Sequence, residues 1–149
     1  MSNTSSGVIM LVEDNPDDAT LTMDALEANQ ITNEVVVANN GAEALDYLFG
    51  WGRYEGRKIA ELPILMLLDL KLPKIDGLEV LRRVRADERA RLIPTVILTS
   101  SNEDEDRLKA YSLGTNSYVR KPVDYDDFLK MAEQLGLYWL TVNEPPYGR

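Results

Sequence analysis

Strand-sized apolar runs that alternate with helical patterns constrain this chain more than any other feature of it. Val8 to Val12, Glu34 to Ala38, Ile64 to Leu68, Thr95 to Leu98 and Ser117 to Arg120 are the runs. Their alternation with helical stretches predicts βαβ units and a parallel sheet, hence an α/β fold. Four of the five end on residues able to do chemistry: Glu13 and Asp14, Asp69, Thr99, and Lys121 followed by Pro122. In an open parallel sheet, ligands bind beyond the carboxyl ends of the strands, so these side chains should converge on one small pocket. A pocket of that make-up suits a metal cation and a phosphoryl group.

The helices announce their own ends. Asn15 can cap a helix in which Pro16 takes the first position and Asp17 and Asp18 favour the positive dipole end, with Ala19, Met23 and Leu26 expected inward. A second helix starts near Asn40, repeats Ala42, Leu45, Leu48 and Phe49, and stops at Gly50. After the turn-rich Leu72 to Gly77, a third buries Leu78, Leu81 and Val84. The acidic stretch Asn102 to Asp106 opens a fourth, ending near Gly114. The last begins near Asp124 and buries Phe128, Met131 or Ala132, and Leu135.

Composition removes several classes of function. The chain has 149 residues and a net charge of -9, which opposes nucleic-acid phosphates and anionic membranes. With no Cys there is no disulfide or thiolate metal site, and with no His there is no Ser-His-Asp triad and no phosphohistidine carried by this chain. No signal peptide or membrane-spanning run is apparent, and a cytoplasmic location is expected.

Glu13, Asp14 and Asp69 facing one pocket would repel one another by about 4 kcal/mol per close pair at an effective dielectric near 20. Something positive must sit among them. Oxygen-only ligands with two or three carboxylates favour Mg²⁺ over the larger Ca²⁺ cage. An acidic pair after a strand is as readily a helix-capping turn, but Asp69 at the mouth of an apolar run is costly unless paired. Lys121 supplies a complementary charge for Asp69 or for phosphoryl oxygens, and the Thr99 hydroxyl offers one more hydrogen bond. Lys121-Pro122 reads as a fixed loop, for which a cis bond is one device.

The set Glu13-Asp14, Asp69, Thr99 and Lys121-Pro122, with Leu72-Pro73 and Asp76-Gly77, resembles the receiver domain of bacterial two-component response regulators. The resemblance runs from Val8 to about Gly136. It implies a doubly wound (βα)5, flavodoxin-like fold with sheet order 2-1-3-4-5. It also implies Asp69 as the phosphoacceptor (4-aspartylphosphate), and Glu13, Asp14, Asp69 and the Lys71 backbone carbonyl as ligands of Mg²⁺, for which Mn²⁺ can substitute. Thr99 and Tyr118 match the family's switch pair, and Lys121 its phosphate-contacting lysine. Glu13 stands where many members have Asp. The implied donor is a sensor histidine kinase, and the chain catalyses its own phosphotransfer and dephosphorylation, with Lys71 and Ser101 at positions that tune lifetime.

The long connection from Phe49 to Leu62 and the C-terminal stretch look like the small regulators that partner phytochrome kinases. The organisation expected is 1–7 as a flexible N-terminus, 8–136 as the receiver and 137–149 as an extension with no output domain. Signalling would pass to a downstream phosphotransfer or effector protein. Residues Leu137 to Tyr147, rich in aromatic and apolar side chains, are expected to form a homodimer contact, the rival being that they fold back on their own domain. Arg82, Arg85 and Arg89 are expected on a solvated face. A haloacid-dehalogenase-type phosphatase would need a second Asp where Lys71 stands. A flavodoxin-like cofactor binder would be repelled by the acidic loop after the first strand. An interaction module that is never phosphorylated is the remaining alternative.

Overall fold

Residues 7–146 are described by the structure, a computed structural model. Ten elements alternate along it: β1 (Ile9–Val12), α1 (Pro16–Ala28), β2 (Val35–Ala38), α2 (Gly41–Phe49), β3 (Leu65–Leu68), α3 (Gly77–Ala86), β4 (Thr95–Thr99), α4 (Asp104–Ser112), β5 (Ser117–Arg120) and α5 (Tyr125–Leu137). The strands are all parallel, in the order β2-β1-β3-β4-β5. This is the doubly wound, flavodoxin-like arrangement.

Period-two alternation divides the strands between two cores. Met10, Val12, Met66, Leu68 and Ile97 face one side, where Leu45, Leu48, Val80, Leu81 and Val84 of α2 and α3 cover them together with Ala110 of α4. Ile9, Leu11, Leu65, Leu67 and Val96 face the other, under Ala19 and Leu26 of α1 and Leu135 of α5. Because both faces are covered, the strands read as unbroken apolar runs.

Helix boundaries follow the capping chemistry. Asn15 Oδ1 accepts from the backbone N–H groups of Asp17 and Asp18, Asn40 from Glu43, Asp76 from Glu79 and Asp124 from Asp127. Gly50 ends α2 at φ +71° and Gly114 follows α4 at φ +97°, the left-handed region that favours glycine. The face of α1 departs from expectation, since Met23 is exposed whereas Thr22 and Ala25 are buried. The Thr22 hydroxyl is accommodated because it donates to the Asp18 carbonyl at 2.8 Å.

Two of the three arginines expected on a solvated face are internal braces. Arg85 donates to the carbonyls of Gly114, Arg91 and Ile93 and to Asn116 Oδ1, joining the loops that enter β4 and β5. Arg89 reaches the Leu48 carbonyl and lies over the Phe49 ring. Arg82 alone of the three keeps to the surface, paired with Glu79. In the long connection before β3, a 3₁₀ turn at Gly52–Tyr54 is followed by Arg57, which stacks on Tyr47 and donates to its carbonyl. That connection is anchored.

After α5 the chain continues as a π-helical turn, Tyr138–Val142. Leu140 is 1% exposed within the α1/α5 core and Trp139 packs against the same cluster. Pro145 and Pro146 close against Leu62, Pro63, Ile64, Leu92 and Pro94 at the strand starts. The expectation that Leu137 to Leu140 lack room in one domain is therefore corrected for Trp139 and Leu140: the helical backbone turns them inward. Leu137, Tyr138 and Val142 remain exposed. Tyr147 and residues 1–6 lie outside the described residues.

Leu140→Ala should cost about 3 kcal/mol, as for other fully buried leucines, and Val142→Ala less than about 0.5 kcal/mol. Urea unfolding of the two variants measures both, and equal small losses would place the tail outside the core.

Candidate functional site

The carboxyl ends of β1, β3 and β5 are held level by hydrogen bonds just past the strands. Glu13 N–H donates to the Ala38 carbonyl, Asp69 N–H to that of Val12, and Lys121 N–H to that of Thr99, at 2.9, 3.0 and 2.7 Å. This shared level brings the side chains together. Lys121 Nζ lies 2.7 Å from Glu13 Oε1, 2.9 Å from Asp18 Oδ2 and 3.0 Å from Asp69 Oδ2, with the lysine side chain only 7% exposed. Asp18, expected only to favour the start of α1, is a full partner in the cluster. Its place one helical turn after Asn15 turns it back over the site, and its partner there, Lys121, is 103 positions away in the sequence.

One carboxylate oxygen from each of Glu13, Asp14 and Asp69 lies within 4.8 Å of the others; Glu13 and Asp69 are buried and Asp14 is exposed. Burial pushes the Glu13 carboxyl up to about 7, against the pull of the adjacent Lys121 ammonium. Burial alone would lower the Lys121 pKa, but its hydrogen bonds to Glu13 and Asp18 and the charge of Asp69 outweigh that and carry it above its ordinary value. One ammonium cannot balance four carboxylates. The surplus negative charge, the oxygen-only donors and one ligand open to solvent fit a hard divalent cation of the Mg²⁺ or Mn²⁺ kind.

The loop after Asp69 is clamped by two glycines. A Cβ on Gly77 would fall 2.1 Å from the Asp69 carbonyl oxygen, and one on Gly41 1.8 Å from that of Ile75. Any side chain at either position would displace the backbone that aims Asp69. Lys71 N–H donates to Asp69 Oδ1 at 3.2 Å, so the Lys71 peptide lies beside the carboxylate, while its ammonium turns away to Asp106 at 3.3 Å. The Lys121-Pro122 bond is trans, as is every described peptide bond, so the cis form is ruled out as the loop's device. The buried ion pairs of Lys121 fix it instead.

Thr99 and Tyr118 are placed nearby but outside the ionic cluster. Thr99 is fully buried and its Oγ1 accepts from Ser101 N–H at 3.2 Å. Tyr118 is half-buried, its ring 6.4 Å from that of Tyr111, and its hydroxyl is enclosed without a well-formed hydrogen bond. The larger surface cavities lie elsewhere. One of about 380 Å³ sits by the strand starts, lined by Arg85, Trp139 and Pro146, with the Arg85 guanidinium already committed to carbonyls.

A parallel five-stranded sheet carrying an acidic cluster and a buried lysine at its carboxyl edge defines a receiver-like protein. The family model for the response regulator receiver domain matches residues 9–133, and the chain belongs to that family. It is 43% identical over 142 residues to the probable methanogenesis regulatory protein FilR2 of Methanothrix harundinacea, covering 93% of this chain and 87% of that one. The solved bacteriophytochrome response regulator AtBRR is 51% identical with a TM-score of 0.71, over 93% of this chain and 98% of that chain. The Mn²⁺-bound form of Rcp1, a response regulator of Synechocystis sp., is 35% identical with a TM-score of 0.88, over 95% and 99%. Divalent-metal binding by the Glu13, Asp14 and Asp69 cluster accords with that relative's metal-bound form.

Mg²⁺ at about a hundred times its dissociation constant should add about 2.7 kcal/mol to the stability of the wild-type chain. Asp14→Ala should lose most of that gain, and Thr99→Ala should keep it. Thermal unfolding with and without Mg²⁺ is the suitable measurement, because Trp139 lies by the strand starts and Trp51 packs on Phe49, so neither reports directly on the cluster. An undiminished gain in Asp14→Ala would remove Asp14 from the ligand set.

Proposed function

We propose that this chain is a phosphoacceptor response regulator that takes a phosphoryl group from phosphohistidine on a sensor histidine kinase, of the phytochrome type, onto Asp69. The observation carrying this is the Asp69 carboxylate, buried at a strand end, hydrogen-bonded to Lys121 and sharing a cation-sized cluster with Glu13 and Asp14. An Asp69 oxygen attacks phosphorus as the phosphorus–nitrogen bond breaks, and the electron pair leaves on the kinase imidazole. Lys121 is placed to hold an equatorial phosphoryl oxygen, and Thr99 to donate to another, since its hydroxyl accepts from the Ser101 N–H and keeps its own proton free. Glu13, Asp14 and Asp69, with the Lys71 carbonyl, would hold a divalent cation, which would supply positive charge beside the transferring group. Hydrolysis follows when water attacks phosphorus in line and Asp69 departs as carboxylate.

The phosphorylated state would be read through the Thr99 and Tyr118 pair, since the enclosed Tyr118 hydroxyl has no well-formed hydrogen bond to hold the ring where it is. A downstream phosphotransfer or effector protein and a cytoplasmic location go with this reading. The described residues contain no helix long and apolar enough to cross a membrane. The domain organisation we propose is a receiver over 8–136, whose C-terminal extension completes its core. The phytochrome-type partner is supported by the likeness to AtBRR and Rcp1, whereas FilR2 shows that high identity also occurs in a regulator named for another process.

Incubation with acetyl phosphate and Mg²⁺ should add one phosphoryl group by intact mass, and Asp69→Asn should add none. Magnesium-dependent, acid-labile phosphate persisting in Asp69→Asn would overturn the assignment, and a wild-type chain that never takes phosphoryl from any donor would favour the unphosphorylated interaction module.

Self-association is the finer part of the partner proposal, and its surface is narrower than the sequence suggested. With Trp139 and Leu140 inside, a homodimer would use the exposed Leu137, Tyr138 and Val142 at the end of α5. Light scattering should show a dimer for the wild type and a monomer for Leu137→Glu, a substitution that leaves the core untouched. A wild-type monomer with and without phosphorylation would dismiss the contact.

A further inference from the structure

One carboxylate outside the ionic cluster gathers both loops that flank it. Asp106, in the first turn of α4, is 8% exposed, and its Oδ2 accepts from Ser101 Oγ at 2.6 Å and lies 3.3 Å from Lys71 Nζ. The Ser101 hydroxyl and the Lys71 ammonium hold the Asp106 carboxyl below its ordinary value, so it is charged in this arrangement. Both partners are joined by their backbones to atoms of the site. Lys71 N–H donates to Asp69 Oδ1, and Ser101 N–H donates to Thr99 Oγ1. Ser101 Oγ also accepts from Glu103 N–H at 3.3 Å, which ties the start of α4 to the same point.

We propose that Asp106 is a positioning residue, a latch that holds the loops after β3 and β4 against α4 and thereby opposes occupation of the site by a phosphoryl group. This rests on the reading of Asp69 as phosphoacceptor. Thr99 lies outside the ionic cluster, so to donate its free proton to a phosphoryl oxygen on Asp69 its Oγ1 must shift toward Asp69 and away from the Ser101 N–H, and the loop carrying Ser101 is anchored on Asp106 by a short, charge-assisted bond. A contact made only in the resting arrangement stabilises that arrangement, so removing it shifts the population toward the occupied one. The enclosed Tyr118 hydroxyl, which has no well-formed hydrogen bond, marks the same spot as unsettled in the resting state. Within the described chain, α4 has weak fixings otherwise: Leu108 and Tyr111 are exposed, and Ala110 and Asp106 are its buried residues.

The test uses the full chain with Asp106→Asn, Ser101→Ala and the double variant. Beryllofluoride with Mg²⁺ is the phosphoryl mimic. Each single variant should bind it about tenfold more tightly than wild type, the size expected for loss of a hydrogen bond to a charged group, and the double variant no more tightly than either single. A variant that merely damaged the fold would bind more weakly. In the metal-free, unmodified protein, amide hydrogen exchange in the first turn of α4 and at Ser101 should quicken in both single variants. Unchanged exchange overturns the latch, and so does mimic affinity that is unchanged, weakened, or additive in the double variant. Faster, non-additive exchange together with no mimic binding by any form, wild type included, overturns instead both the phosphoacceptor reading and the claim that the latch opposes phosphoryl.

Discussion

The ammonium of Lys121 is the constraint on which the arrangement depends. Parallel strands place Glu13 and Asp69 at the same level, and α1 folds Asp18 back over them, so three carboxylates meet where solvent is largely excluded. In such a place each unpaired charge costs several kcal/mol, and removal of one member of a buried ionic group leaves the rest uncompensated. Lys121 makes the meeting tolerable without neutralising it. A site left with surplus negative charge is stable enough to fold and still gains from a cation, which is the condition a reversible metal site requires.

The two ends of the sheet divide labour for a related reason. At the strand starts, Arg85 joins three carbonyls and a side-chain amide, Arg57 stacks under the long connection and donates to backbone carbonyls, and the tail seats Leu140, so that end is tied mainly through backbone acceptors. At the carboxyl ends, the side chains are charged, and Lys121 pairs with Glu13, Asp18 and Asp69 side chain to side chain. Backbone partners cannot be exchanged without unfolding, whereas ion pairs can be re-made around an incoming group. The glycines at 41 and 77 extend the rigid part right up to the Asp69 backbone, so that rearrangement is left to the side chains there and to the loop between β4 and α4.

Much of this was legible in the sequence because its signals are local. Asn15 with Pro16, Asn40 with Gly50, and Asp76 with Gly77 state helix ends through chemistry confined to a few residues. Asp69 after five apolar residues states a strand end with a buried charge. What was not legible depends on partners distant in the chain. Asp18 meets Lys121 across 103 positions, Arg85 meets Gly114 and Asn116 across 29 and 31, and nothing in the composition of α3 separates Arg85 from the surface-paired Arg82. Met23 and Thr22 exchanged their expected places because the helix face is set by the angle at which α1 meets the sheet and α5. Hydrophobicity alone does not encode that angle. The tail erred in the same way: its apolar content was clear, but whether it faces inward is decided by the π-helical turn after Leu137.

Thr99 and Tyr118 show how a fold can be tight and still hold two arrangements. Thr99 is fully buried, yet its hydroxyl accepts only a single hydrogen bond, from a loop N–H, and the Tyr118 hydroxyl is enclosed without a good partner. A buried, poorly satisfied hydroxyl costs of order 1 to 3 kcal/mol, comparable to the differences by which ligands shift two-state equilibria. The cost is borne in the resting state, so a group that gives Thr99 something better to bond also removes the reason for Tyr118 to stay where it is. The coupling needs no wire between the two residues: it needs only that each be under-satisfied in the same arrangement and that the loop between β4 and α4 belong to both.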